Sequence, residues 1–204
     1  DPNEPGSVLI NSGNNAPRGG LPSVDNDGGP RQIGSRVDRG AIESSINDIS
    51  TFTVTNANNS GAGSLRQAII NANLSSDPSE IHFNISGGCP RVISPTSPLP
   101  ALFTPTSILG YSQSGSARNE SQYAFDGTLC IALNGAGTLA NGLAFLTGSD
   151  ETMVVEGIAF YGFTSEAVLI SGGGRGNVRG NAFGTGAAGL IAPGFDDAAI
   201  RVQS

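Results

Sequence analysis

Few side chains in this 204-residue chain are of types that do chemistry, and their spacing suits little of it. Cys89 and Cys130 are the only cysteines and His82 is the only histidine. Two thiols and a remote imidazole do not complete a four-ligand zinc site. The cysteines read as one disulfide, favoured by the secreted-type composition around them. It would close a loop of roughly forty residues, for which chain entropy gives about 4 kcal/mol. Two buried free thiols are the alternative reading. A polysaccharide lyase or hydrolase needs clustered carboxylates with Arg or Lys on one face. The C-terminal half offers Asp126, Asp150, Asp196 and Asp197 with Glu120, Glu151, Glu156 and Glu166, and the chain has no Lys. Asp196-Asp197 is the best pair, but neighbours on a strand point to opposite faces, so a solvated loop is the expected setting. His82 alternates with Ile81 and Phe83 and is expected to point away from them, with no catalytic partner. Asp25-Asn26-Asp27-Gly28 begins like a calcium loop but lacks the remaining oxygen ligands and the distal Glu, so it reads as a turn. No catalytic residue, metal or cofactor is assigned.

The elements that would position these groups follow from composition. Charged residues are only 13%, Trp is absent, and Gly and Pro number 30 and 12. A core drawn from such a chain is made of Val, Ile, Leu, Ala and Phe, which favours strands joined by many turns. All ten basic residues are Arg, they are scattered, and the net charge is −7. No basic stripe exists to overcome repulsion by a polyanion, so nucleic acid is not an expected partner. No apolar run approaches the length of a membrane span. Asn58, Asn73, Asn84 and Asn119 head N-x-[ST] patterns, a number near chance in an Asn- and Ser-rich chain.

Along the chain, residues 1–35 are dense in turn signals, with Val8-Leu9-Ile10 a possible strand and Val37 to Ile42 a second. Thr51-Phe52-Thr53-Val54-Thr55 alternates cleanly and reads as a strand, with Thr51, Thr53 and Thr55 resembling a Thr ladder that occurs in one turn only. Ser64 can cap a short helix in which Leu65, Ala68, Ile69 and Ala72 share one face. Glu80 to Ile85 reads as the next strand. From residue 107, short apolar runs alternate with Gly and Asn, and Val155-x-Gly157-x-Ala159-Phe160 returns as Val178-x-Gly180-x-Ala182-Phe183. That offset of 23 residues marks a solenoid of the β kind, with Gly and Asn at the corners. Val155 and Val178, and Phe160 and Phe183, are expected to stack inward on successive turns. The fold expected is therefore all-β, a right-handed parallel β-helix with a short N-terminal capping helix.

Thr53-Val54-Thr55-Asn56-x-Asn58-x-Ser60-Gly61-x-Gly63-Ser64-Leu65-Arg66-Gln67-Ala68-Ile69, followed by Ile81-His82-Phe83, resembles the N-terminal cap of bacterial secreted, pectin-lyase-like parallel β-helix surface proteins. Ile108 to Ser116 and Gly180 to Thr185 are similar to later parts of that family, and the resemblance spans about residues 50–204. The first 44 residues are similar instead to the closing segment of such proteins, through Val8-Leu9-Ile10-Asn11-Ser12-Gly13 and Gly29-Pro30-Arg31 to Glu43. The resemblance divides the chain into 1–44, a closing-type segment; 45–106, a cap; and 107–204, the coil turns. Two explanations fit this order: a slice of a chain of tandem β-helices, or head-to-tail assembly in which residues 1–44 cover the open coil of another copy. An exposed last turn presents unpaired backbone groups and an apolar cross-section. Covering about five side chains there is worth roughly 10 kcal/mol gross.

These features lead to a secreted, extracellular or cell-surface protein with a structural or adhesive role. It is expected to assemble with itself into a filament, with Val8, Leu9, Ile10, Ile200 and Val202 at the contacts. A polysaccharide-degrading or glycan-binding β-helix is the alternative.

Overall fold

The structure is a computed structural model, and it describes residues 49–121, 126–146, 148, 152–184 and 199–203. Val8, Leu9 and Ile10, the Asp25 to Gly28 turn, and Asp150, Glu151, Asp196 and Asp197 lie outside the described residues. Among the described residues, twelve short strands and one α-helix follow in order: β1 (Ser50–Val54), α1 (Leu65–Leu74), β2 (Ser79–Phe83), β3 (Arg91–Ile93), β4 (Thr106–Leu109), β5 (Ile131–Asn134) and β6 (Leu143–Leu146), then β7 (Thr152–Glu156), β8 (Ile158–Tyr161), β9 (Val168–Ser171), β10 (Arg175–Arg179), β11 (Ala182–Phe183) and β12 (Ile200–Val202).

Every ladder between these strands is parallel. The first sheet runs β1-β2-β4-β7-β10, the second β3-β5-β8-β11, and the third β6-β9-β12, with Leu102 bridged to Phe145 ahead of β6. Each turn of the chain therefore lays one strand in each sheet, and the fold is a parallel β-solenoid of five turns. Turn one departs from this pattern: after β1 the chain forms α1 where later turns form the second and third sheets.

The repeat seen in the sequence is the register of the coil. Val155 lies beside Val178 and Phe160 beside Phe183, and the two rings stack with centroids 5.4 Å apart. One inward column runs Phe52, Ile81, Ile108, Val155, Val178, and another Ile93, Leu133, Phe160, Phe183. The third sheet stacks Leu102, Phe145, Ile170 and Val202. In the middle turns these side chains are almost wholly buried, each contributing about 1.5–3 kcal/mol of transfer free energy. The alternation of the strands explains the columns, because every second residue must point inward.

Helix α1 forms where its sequence supplies both ends and one face. Ser64 Oγ accepts the Gln67 N–H, and Leu65, Ala68, Ile69 and Ala72 turn one buried face to the core. Arg66 fastens the helix to the loop before β4, donating to the Ser97 and Pro98 carbonyls. Asn73 does the same further along, to the Ala101 carbonyl and from the Phe103 N–H.

The corner between first and second sheets is tight in turns four and five, where the chain passes from Glu156 to Ile158 and from Arg179 to Asn181. In turn three it takes from Leu109 to Ile131. That longer passage forms a strap outside the coil. Ser112 Oγ accepts the Phe83 N–H, and the Gln113 amide pairs with both backbone groups of Ile85. At its far end Cys130 is bonded to Cys89, a separation of 41 residues. Tyr111 and Leu129 of the strap cover the outward Ala132 and Ala159, which are fully buried although they face out of the coil. Gly157 turns the corner beneath the strap at φ +73°, and a Cβ there would meet the Tyr111 N at 2.6 Å.

Candidate functional site

Turn five is where the coil's apolar interior reaches the surface. Strands β10, β11 and β12 are each the last in their sheet, paired on one edge with β7, β8 and β9. Ile200 and Val202 continue inward columns whose previous members, Val168 and Ile170, are 0% and 4% exposed. Yet Ile200 is 37% exposed and Val202 70%. Val178 and Phe183, which end the other two columns, are half-buried. Four side chains placed by the strand period to face a core thus form an apolar surface. Among the described residues β10 is ladder-paired on one edge, to β7.

Two buried carboxylates hold this turn onto the one before it. Glu156, at the end of β7, is 4% exposed, and its oxygens accept from Arg118 at 2.6 and 3.1 Å and from Arg179 Nε at 2.9 Å. Arg179 is its register partner on β10, and Arg118 comes from the strap, its guanidinium 4.6 Å above the Tyr111 ring. Burial pushes the Glu156 carboxyl up, but the hydrogen bonds and charges of the two arginines outweigh that and hold it below the usual carboxylate range. Glu166, just before β9, is also buried and pairs with Arg201 of β12. With the Asn141 amide turned to donate, its nitrogen lies 2.8 Å from the other Glu166 oxygen. Tyr111 Oη donates to the Gly180 carbonyl at 2.8 Å, and Asn181 bridges the corner by accepting from Ile158 N and donating to Val155 O.

Of the residues singled out in the sequence, the structure brings Ile200 and Val202 together on one inward face, and it bonds Cys89 to Cys130. His82 points outward and meets Glu80 at 2.8 Å, with Ile81 and Phe83 buried on the other side. Asp126 is used by its own loop, accepting from the Glu120 and Ser121 N–H groups. Glu156 and Glu166 lie at different corners, each engaged by arginine, so they do not form an acid–base pair. The sequence reading missed the clamp formed by Arg118, Arg179 and Arg201. A signal for one part of it was present: Glu156 and Arg179 occupy equivalent places in the 23-residue repeat. Among the described residues no three His, Cys, Asp or Glu side chains converge to hold a metal, and no helix is long and apolar enough to cross a membrane. No protein-family model, curated protein or solved structure matches this chain.

Proposed function

We infer that this chain is an extracellular structural or adhesive β-solenoid that associates end to end with copies of itself through turn five. The observation that carries the reading is Val202, which stands in an inward column and is 70% exposed. Parallel solenoids gain stability from each neighbouring turn, so an open turn is a surface that favours another turn or a partner. A head-to-tail contact does not close on itself and yields a filament. The disulfide supports an oxidising, extracellular setting. Polysaccharide cleavage has less support, because the buried carboxylates of turn four are taken up by arginines that hold turn five in place.

The test is the size of the 204-residue chain in solution against Val202→Glu. Wild-type protein is expected to sediment as a concentration-dependent series of oligomers, and the variant as a monomer with unchanged circular dichroism. A wild type that stays monomeric across the accessible concentration range contradicts the reading.

A further inference from the structure

We propose that the Cys89–Cys130 disulfide is an exchangeable latch. A small external thiol opens it by attack on the Cys89 sulfur, and the loop from Ser86 to Pro90 is released while the coil stays folded.

The two sulfurs sit in unlike surroundings. Cys89 belongs to a run from Ser86 to Pro90 in which every residue is exposed. Cys130 is 0% exposed, and a Cβ added at Gly115 of the strap would lie 3.3 Å from its sulfur. An incoming thiolate reacts at the sulfur it can reach, so exposure selects Cys89 as the one attacked.

The loop also has little else to hold it. Among the described residues no backbone hydrogen bond fastens Ser86 to Pro90. Its two flanks, by contrast, are fixed. Ile85 is gripped at both backbone groups by the Gln113 amide, and the Arg91 N–H donates to the Cys130 carbonyl at 2.7 Å. The loop therefore hangs between two anchored points and is closed by the disulfide. Opening that bond leaves both anchors in place, together with the β2–β4 and β3–β5 ladders. The opening is local rather than global.

The chemistry balances with the thiol as reductant. Its thiolate bonds to the Cys89 sulfur as the S–S bond breaks, and the electron pair leaves on Cys130, which takes up a proton. A second thiol attacks the external sulfur of this mixed disulfide, releasing Cys89 as a thiolate and the reagent as its own disulfide. When thiol is withdrawn, Cys130 attacks the mixed disulfide at Cys89 and restores the latch. Cys89 is thus the exchanging sulfur and Cys130 the resolving one.

The test exposes the folded 204-residue chain to reduced glutathione, stops exchange with acid and maps the adduct by mass spectrometry. Glutathione is expected on Cys89 with Cys130 as a free thiol, and the adduct should vanish once glutathione is removed. Circular dichroism should not change, while amides of Ser86 to Cys89 exchange faster and those of β4 and β5 do not. An adduct mainly on Cys130, or no exchange until denaturant is added, overturns the proposal, as does loss of the coil on reduction. A second arm compares single variants toward an aromatic disulfide reagent. Cys89 in Cys130→Ala should react at least about tenfold faster than Cys130 in Cys89→Ala, because only the first thiol is accessible. Equal rates contradict the assignment of the two sulfurs, and the glutathione arm decides alone if either variant fails to fold. Turn five takes no part in the latch, so a chain that stays monomeric would refute the association above and leave this test unaffected.

Discussion

At turn one, Leu65, Ala68, Ile69 and Ala72 lie against the start of the coil and are buried to 5% exposure or less. At turn five, Val178, Phe183, Ile200 and Val202 stand at the other end of the described inward columns, and Ile200 and Val202 are exposed. The cross-section being covered is the same, since the columns run through all the turns between. What differs is the covering element. A helix can close a parallel coil because its backbone hydrogen bonds are internal and it asks nothing of the strand edge beneath it. A strand cannot, because it satisfies one edge and exposes the other. The difference teaches that burial is uneven along the described coil: at turn one a helix keeps its apolar face covered, whereas at turn five Ile200 and Val202 hold inward register positions and remain exposed.

Each of four changes breaks or sharpens that contrast. The largest expected effect is from Cys89→Ala with Cys130→Ala, which frees the strap from turn two. Chain entropy predicts a loss of about 4 kcal/mol, read as a lowered denaturant midpoint. Next is Ile69→Ala in the buried face of α1, expected to cost about 3 kcal/mol because it opens a cavity under the cap. Glu156→Gln follows at about 2 kcal/mol, since it weakens charged hydrogen bonds to two arginines. Its loss should fall on turn five, measured as faster amide exchange in β10 with β2 and β4 unchanged. The smallest is Val202→Ala, expected to change monomer stability by under about 0.5 kcal/mol because the side chain is already in solvent. A Val202→Ala cost as large as that of Ile69→Ala would erase the distinction between the ends.

The same clamp gives a pH dependence. The Glu156 carboxyl is held below its ordinary range in the folded chain. Its contribution is therefore complete above the unfolded carboxylate pKa, near 4.3 for Glu, and is lost as pH falls through the depressed folded value. Amide protection in β10 should drop on acidification in wild type and should not change over that window in Glu156→Gln.

Much of this architecture was legible because it rests on short-range periods. The alternation of Thr51 to Thr55, the Ser64 cap with its helical apolar face, and the 23-residue return of Val155 as Val178 each follow from local geometry that the residue types display. The strap was not legible. Its anchors pair residues far apart in the chain, as Arg118 with Glu156 and Gln113 with Ile85, and nothing in residues 110–130 distinguishes a packed strap from a solvated loop. The arginine clamp was half legible. Glu156 and Arg179 share a repeat position, whereas Arg201 reaches Glu166 across a stretch with no recognisable period. Exposure at Val202 is not displayed by its own strand pattern, since an apolar residue in an alternating strand signals a core; it was expected only from the resemblance to an open coil, and the register with Ile170 gives the position its inward column.

The proposed association through turn five is tested most directly by amide exchange at two protein concentrations. Outward N–H groups of β10 and β12 should exchange slowly in concentrated protein and fast in dilute protein, with amides of β4, β5 and β7 unaffected. Exchange in β10 and β12 that is independent of concentration, in a sample that sediments as a monomer throughout, would contradict it.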